Sequence, residues 1–207
     1  TLSLVEIQIP HSAQAQDDYS WVAYNDCAGT NTIANTTSIT LGETSTGTSG
    51  ALLKFSDGSS TGVTAQFTAS QPLTTDLYWG QTPTYDTDAY ITFNGKVNMI
   101  GALQYNNKDN PLTDWWIDLT ISNLNPNNTY TFATSANRNQ FGPEFENDFV
   151  QFSLSGDDGA TNASTQGVSL LDDHTVYFNS SLNEETGYVA RWSGINPGSD
   201  GTIVIRS

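Results

Sequence analysis

The sequence predicts an all-β domain built as an antiparallel two-sheet β-sandwich, and three observations indicate this. Apolar residues alternate with polar ones in short runs, which is the pattern of half-buried strands. Clusters of Gly, Asn, Asp, Pro and Ser separate the runs, as turns do. No stretch has convincing helical periodicity. The clearest runs are Tyr19–Tyr24, Ala51–Phe55, Val63–Ala69, Trp115–Ile121, Thr129–Thr134, Phe149–Leu154, Thr175–Phe178, Tyr188–Trp192 and Thr202–Ile205.

The chain divides into two parts. Residues 1–18 are predicted to be an extended arm and a polar spacer, and residues 19–207 a single sandwich domain of roughly a dozen strands. The Thr/Gly-rich stretch Thr30–Gly50 fits either an edge hairpin or a long loop, because its apolar residues are few and widely spaced.

Composition excludes several partners. The 207 residues carry 22 acidic side chains against 6 basic ones, for a net charge of −16, and about a third of the chain is Thr, Ser or Asn. Six scattered cations cannot form the basic stripe that nucleic acid or an anionic membrane surface requires. Because 36% of the residues are hydrophobic, a folded domain is expected rather than a solvated coil. This balance is typical of extracellular or cell-surface β proteins.

The strand beginning at Trp115 has two faces of different polarity. Trp115, Ile117, Leu119 and Ile121 share one face and are predicted to be core. Trp116 falls on the polar face instead. A neighbouring loop, Arg138 or Arg191 would cover it, or it would contact a sugar or another subunit.

The next segment, Leu124–Phe132, joins a Leu-x-Pro turn to a strand that opens on Tyr130. In Greek-key sandwiches this arrangement lets a tyrosine hydroxyl bond back to an upstream backbone group. The segment therefore resembles a fibronectin type III or immunoglobulin-like domain. An immunoglobulin-like or jelly-roll-like arrangement of the two sheets is what this resemblance implies.

A second resemblance covers more of the chain. It rests on Asp86–Gly95, Phe132–Arg138, Thr161–Ser164 and Gly187–Trp192. These segments are similar to an uncharacterised β-sandwich domain of large secreted and surface proteins of bacteria. The resemblance implies a fold and an extracellular location, and no activity.

An isolated β-favouring run lies ahead of the domain. Its apolar residues are Leu2, Leu4, Val5, Ile7 and Ile9, Pro10 ends it, and the spacer His11–Asp18 follows. The apolar phase changes between Leu4 and Val5, so the run has a bulge or is buried on both faces. It pairs within its own domain, or it is donated to a neighbouring subunit by β-strand addition. Donation in a head-to-tail sense would build a filament, a homopolymer of this chain at the cell surface.

The sequence contains few residues whose spacing indicates catalysis, and no enzyme is predicted. Glu144 and Glu146 have a spacing that a glycosidase pair could use, but they lie in a loop. His11, His174 and the single cysteine, Cys27, are too few for a zinc site, and no His-based triad is evident. Cys27 is expected to be a buried thiol, the alternative being a bridge between chains.

No cofactor is predicted, although acidic turns could bind calcium. Asp86 and Asp88, Asp157 and Asp158, Asp172 and Asp173, and the stretch Asn106–Asn110 supply oxygen ligands in turn-like sequence. Ordinary turn chemistry explains the same residues, because Asp and Asn side chains bond to nearby backbone N–H groups.

Two further features suit an extracellular protein. Glycosylation sequons occur at Asn35, Asn127, Asn162 and Asn179. Aromatic residues outside the expected core could form a platform for sugar rings, which makes a carbohydrate-binding module or adhesin domain the alternative to a filament subunit. These aromatic residues are Trp116, Trp79, Tyr78 and Tyr105.

Overall fold

A computed structural model describes residues 21–27, 33–41, 44–72, 74–76, 80–104, 115–138 and 148–207. The fold is an antiparallel two-sheet β-sandwich, as the sequence predicts. The arm and the spacer lie outside the described residues.

The larger sheet has seven strands, and every neighbouring pair in it is antiparallel. In their order across the sheet they are β1 (Thr46–Leu53), β2 (Ser60–Ala69), β5 (Ile117–Ser122), β12 (Ile203–Arg206), β7 (Phe149–Ser155), β10 (Thr175–Asn179) and β9 (Ser169–Asp172).

The second sheet contains β6 (Tyr130–Thr134), β11 (Ala190–Asn196) and β8 (Gly159–Asn162), in that order. A separate ribbon pairs β3 (Thr74–Asp76) with β4 (Ala102–Gln104). Two short helices, α1 (Asp88–Phe93) and α2 (Asn183–Thr186), complete the described elements.

The main core lies between the two sheets and follows the alternation of the strands. On β5, Ile117, Leu119 and Ile121 are buried and the residues between them are only half-buried. From the opposite sheet, Phe132 and Trp192 meet this surface, with their rings stacked 6.5 Å apart. Period-two burial on the large sheet therefore produces one continuous apolar layer.

A second core lies on the other face of the three-stranded sheet. Ala133 of β6 contacts this cluster, to which α1 contributes Ala89 and Phe93. Val97 and Met99, which follow the helix, also belong to this cluster. The molecule therefore has three layers, and the small sheet is the middle one.

Arg191 fastens α1 to the middle layer. Its guanidinium donates to Asp88 at 2.7 Å and to Thr92 at 3.2 Å, both on the helix. Thr165 donates to the other carboxylate oxygen of Asp88 at 2.6 Å. This partly buried network holds a six-residue helix that would be too short to persist alone.

Two sequence predictions need correction. Trp115 is 38% exposed and not part of the main core, because β5 begins two residues later. Within the predicted strand Tyr19–Tyr24, the described residues form only a bridge between Ala23 and Lys54.

Two other features were not specified by the sequence. The two helices are each too short to create a periodic pattern. Both alternatives for Thr30–Gly50 are present in part, because residues 33–41 are loop and the edge strand β1, which pairs with β2, begins at Thr46.

The hydrogen bond predicted between the Tyr130 hydroxyl and the upstream backbone is present. Asn125 donates its backbone N–H to the Tyr130 hydroxyl at 2.7 Å, and the tyrosine ring is buried in the main core. The turn between β5 and β6 is also held by Leu124, whose N–H donates to the Gly201 carbonyl. Gly201 has a φ of +63°, and a Cβ there would overlap the Leu124 carbonyl oxygen.

Replacing Tyr130 with Phe should destabilise the fold by about 1 kcal/mol, because the Asn125 N–H loses its acceptor while the ring still fills the core. Urea unfolding measures this loss. Tyr85→Phe is the matched control, since Tyr85 is 77% exposed and its change should stay within about 0.5 kcal/mol. Equal stability of the Tyr130→Phe variant and the wild type would show that the tie contributes nothing.

Candidate functional site: an edge strand beside an apolar cavity

The strand β6 is unusual among the described strands of the sandwich. All five of its residues are buried. Tyr130 and Phe132 face the main core, and Ala133 faces the second core. On one side β6 pairs with β11, and no strand among the described residues pairs with its other side.

Burying the edge of a strand costs free energy unless its backbone groups are hydrogen-bonded. A strand edge presents N–H and C=O groups that need hydrogen-bond partners, and burial removes water as a substitute. Thr134, the last residue of β6, has an interaction of its own, and a strand beside β6 is the general way in which such groups are satisfied. Such a strand would lie in the middle layer, with one face toward each core.

A cavity of about 190 Å³ opens beside the first residue of β6. Leu52 of β1 and Val63 of β2 contribute apolar walls from the large sheet, and Tyr130 lines the cavity from the middle layer. The remaining lining residues are Val22, Ala23, Lys54, Thr61, Asn123, Asn125 and Asn128. A cavity of about this size can accept one large apolar side chain.

The segment 21–27, which we call the entry segment, forms another part of the wall. Its side chains alternate as in a strand: Ala23 lies in the main core and Tyr24 in the second core. Val22 accepts a hydrogen bond from the Phe55 N–H at 2.8 Å, which fixes the segment to the end of β1. The entry segment therefore occupies the same middle layer as β6, with the cavity lined by both.

Two tight turns hold the rim of the cavity in place. In the β1–β2 hairpin, the Gly58 N–H donates to the Lys54 carbonyl, and Asn35 donates its side-chain amide to the Phe55 carbonyl. Across the cavity, the β5–β6 turn is held by the Tyr130 hydroxyl. The shape of the cavity is thus determined by covalently distant segments that are each firmly anchored.

Lys54 gives the cavity its one charged lining residue. The other described cations have partners: Arg138, Arg191 and Arg206 each form an ion pair with an Asp, and the Lys96 ammonium donates to two backbone carbonyls. No carboxylate among the described residues lies within ion-pair distance of the exposed Lys54 ammonium. In a chain with a net charge of −16, a cation at a cavity is a marked local exception, and Lys54 attracts the nearby Asp57 without forming a close ion pair with it.

The predicted donor residues Leu2, Leu4, Val5, Ile7 and Ile9 lie outside the described residues. The entry segment starts three residues after the spacer ends at Asp18.

Of the predicted aromatic platform, the structure describes Trp116, and Tyr78, Trp79 and Tyr105 lie outside the described residues. The residue that covers Trp116 is Arg206, not Arg138 or Arg191, and its guanidinium carbon lies 4.4 Å from the ring centroid. Asp118 holds the guanidinium through two hydrogen bonds, which also raise the pKa of Arg206. One ring face of Trp116 is therefore already occupied.

Sequence reasoning missed a shallow depression beside α1. It is lined by Tyr85, Asp86, Tyr90, Ile91, Asn94 and Lys96. Tyr85 and Tyr90 meet edge to face, with ring centroids 5.2 Å apart and an interplanar angle of 61°. The two rings therefore do not form a coplanar platform. The signal was too weak to find in the sequence, because two tyrosines at this separation suit many arrangements.

The acidic turns have local partners. Asp88 pairs with Arg191, Asp157 lies 2.9 Å from His174, and Asp172 accepts a hydrogen bond from the His174 N–H. That bond is the main reason why the pKa of Asp172 lies below its ordinary value. No group of three His, Cys, Asp or Glu side chains converges as metal ligands within the described ranges. The stretch Asn106–Asn110 lies outside them.

The four sequons differ in accessibility. Asn127 is exposed on the β5–β6 turn. The side-chain nitrogen of Asn162 is buried, and that of Asn35 donates to the Phe55 carbonyl. Asn179 uses its side-chain oxygen to hold the turn before α2. Asn127 is thus the most accessible of the four sequons, and its side-chain nitrogen donates only to the exposed Asn125 side chain, at 3.3 Å.

The residues weighed for catalysis do not form a site in the described part of the chain. Cys27 is buried in the main core and forms no disulfide. His174 contacts Asp157 at the surface, while His11, Glu144 and Glu146 lie outside the described residues. No described helix has the length and apolarity needed to cross a membrane. No protein-family model, curated protein or solved structure matches the chain.

Asp57, in the hairpin next to Lys54, should titrate below the ordinary range of an Asp. The Ser59 hydroxyl and N–H donate to its carboxylate, and Lys54 adds a smaller attraction, so all three lower its pKa. Because the folded pKa is the lower one, this interaction stabilises the hairpin above the unfolded pKa. Its contribution is lost as the pH falls through the folded value.

An NMR pH titration of the Asp57 side chain measures this directly. Ser59→Ala should raise the midpoint more than Lys54→Gln does, since the hydrogen bonds are the larger cause. A larger rise in the Lys54→Gln variant would contradict the hydrogen-bond explanation.

Proposed function

We propose that this protein is an extracellular structural subunit that assembles with copies of itself by β-strand addition, through residues 2–9. The observation that carries the proposal is the run 2–9, which has apolar residues in both strand phases, together with the cavity at the start of β6, which could accept one of its side chains. The arm of one copy would insert at this cavity in the next copy and add to its middle layer.

The sequence of the arm suits a middle-layer position. A strand beside β6 would face the main core on one side and the second core on the other, so both of its phases need apolar residues. Leu2 and Leu4 supply one phase, and Val5, Ile7 and Ile9 supply the other. An arm that added to the edge of the large sheet would need apolar residues on one face alone.

Strand addition also fits the composition. Main-chain hydrogen bonds and apolar contacts provide the affinity, and neither needs the basic residues that this chain lacks. The acidic, Thr-rich exterior keeps the subunit solvated and limits other associations. A repeated head-to-tail contact of this kind forms an open polymer unless its rotation closes a ring.

Deleting residues 1–10 should abolish assembly and leave a folded monomer, because the deletion removes the donated strand and none of the described sandwich. Analytical ultracentrifugation and negative-stain electron microscopy measure assembly, and circular dichroism reports the retained β structure. Leu4→Asp and Ile7→Asp should each have the same effect, since they place a charge on opposite faces of the strand.

Gln14→Asp, in the spacer, is the matched control and should assemble like the wild type. If Ile7→Asp blocked assembly and Leu4→Asp did not, the arm would be buried on one face only, and β6 would be the wrong acceptor. A wild-type chain that stayed monomeric at high concentration would overturn the proposal.

A carbohydrate-binding module or adhesin domain is the second candidate, favoured by the exposed ring of Tyr85 beside Asp86 and Asn94. The geometry supports it less well, because Trp116 is capped and the two tyrosine rings are not coplanar. A polysaccharide pull-down with wild type and Tyr85→Ala distinguishes the two functions. Retention that depends on Tyr85 in a chain without residues 1–10 would favour the binding module.

A further inference from the structure

We infer that the depression beside α1 binds one neutral hexose ring, such as the terminal ring of a glycan. Tyr85 packs against the apolar face of the sugar, and the side chains of Asp86 and Asn94 bond to its hydroxyl groups. This inference rests on the second candidate function named above, which it narrows to one ligand class. It does not depend on assembly through residues 2–9.

The exposed ring of Tyr85 is the first argument. Among the exposed large hydrophobic side chains of the described residues, Tyr85 has the highest exposed fraction. Tyr90 meets it edge to face, which holds the ring in one orientation. The C–H groups on one face of a pyranose ring are apolar, so a sugar buries them against an aromatic ring of this kind while its hydroxyl groups remain at the rim.

Two polar side chains beside this ring are the second argument. Among the described residues, the Asp86 carboxylate and the Asn94 side-chain amide line the depression and form no hydrogen bond or ion pair. A carboxylate accepts hydrogen bonds at both oxygens, and an Asn amide both donates and accepts. Neighbouring hydroxyl groups of a sugar donate and accept as well, so one hexose satisfies both side chains.

The charges around the depression indicate a neutral ligand. Asp86 contributes one negative charge and Lys96 one positive charge to the lining. The Lys96 ammonium also donates to the Ile91 and Thr92 carbonyls at the end of α1. An anion would therefore meet Asp86 and a cation would meet Lys96, whereas a neutral polar ring meets no like charge.

The size and shape of the depression limit the ligand to one ring. Its volume is about 190 Å³, whereas pockets for drug-sized ligands usually exceed about 300 Å³. A polysaccharide segment that stacks successive rings needs coplanar aromatic residues, and the angle between the Tyr85 and Tyr90 rings is 61°. The terminal ring of a glycan needs only one stacking surface.

The turn that carries Tyr85 and Asp86 is held in place by its own hydrogen bonds. The Thr84 N–H donates to the Glu184 carbonyl at 2.7 Å, which fastens the turn to α2. The Thr87 hydroxyl donates to the Thr84 carbonyl at 2.7 Å and closes the turn. A site that is ordered before binding loses little conformational entropy when the ligand arrives.

The test is a titration of the full chain with the methyl glycosides of glucose, galactose, mannose and N-acetylglucosamine. Saturation-transfer NMR observes the sugar, so it works whether or not the chain assembles. At least one glycoside should bind, with the strongest transfer to the C–H groups of one face. Absence of transfer to all four glycosides would overturn the inference.

Variants locate the contact. Tyr85→Ala should raise the Kd about tenfold, because the stacking surface is lost, and Tyr85→Phe should change it by less than about twofold. Asp86→Asn should raise it about fivefold, because a charged acceptor becomes a neutral one. Phe149→Ala is the matched control, since Phe149 is an exposed aromatic residue of β7 that does not line the depression.

Circular dichroism verifies that each variant is folded. Equal losses in Tyr85→Ala and Phe149→Ala would show that exposed rings bind the sugar without a site, and would overturn the inference.

Charged analogues of the same ring test the ligand class. The methyl glycosides of glucuronic acid and of glucosamine carry a negative and a positive charge on the glucose frame. Both should bind the wild type more weakly than methyl glucoside does. Tighter binding of either charged analogue would show that the site does not select a neutral ring.

The outcomes distinguish this inference from the functions proposed above. If a glycoside binds and the wild type stays monomeric, the site stands and the assembly function is wrong. If a polysaccharide is retained through Tyr85 and no single glycoside binds, the binding module stands and the one-ring ligand is wrong. If the wild type assembles through residues 2–9 and binds neither sugar nor polysaccharide, the site and the binding module are both overturned.

Discussion

The backbone of the middle layer must satisfy its hydrogen-bonding groups where water is excluded, and the rest of the structure depends on how it does so. The sheet of β6, β11 and β8 is covered on one face by the seven-stranded sheet, and its other face packs on α1 and the residues that follow it. β11 satisfies its groups on both sides by pairing with β6 and β8. Within the described residues, β6 is the last strand of this sheet, and it pairs with β11 on one side.

Other features of the fold follow from the same constraint. α1 is six residues long, and it remains in place because Asp88 and Thr92 bond to Arg191 of β11. The entry segment distributes its side chains between the two cores as a strand would, yet it pairs with the end of β1 through Phe55 and not with β6. The cavity is the space between these two neighbours in one layer. The end of the described sheet at β6 and the cavity thus lie side by side in one layer.

The net charge of the chain limits how closely two copies can approach. Subunits with a net charge of −16 repel each other, but at physiological ionic strength that repulsion is screened beyond about 8 Å. Contacts made by backbone groups and aliphatic side chains operate well inside that distance. The paired Asp118–Arg206 and Asp88–Arg191 contacts act within one chain and stabilise its fold.

Sequence reasoning predicted the fold class and most strands because their signal is local. The alternation around Ile117, Leu119 and Ile121 specifies which face is buried, and the order Leu-x-Pro before Tyr130 specifies the tie to Asn125. It could not predict α1, whose anchor Arg191 lies 103 residues from Asp88. It also named the wrong arginine for Trp116, because the order of strands across a sheet places β12 beside β5 and no local pattern encodes that order. The cavity escaped it for the same reason, since its walls come from distant segments. The sequence shows that the arm has apolar residues in both strand phases. Which position in a fold such a strand would suit becomes evident only from the middle layer that β6 occupies.

The length of the spacer adds a final constraint on the assembly that we propose. His11–Asp18 and the two residues after it connect the arm to the entry segment, which itself lines the cavity. A tether this short gives the arm an effective concentration of the order of millimolar near its own β6. Insertion into the same copy therefore competes with donation to the next copy. At low protein concentration the closed monomer is favoured, and exchange between copies becomes favourable as the concentration rises or as one end of a polymer offers an open β6. Under the proposed function, the same competition would keep a chain with an apolar arm in solution before it assembles, because a filled edge presents no template for uncontrolled pairing.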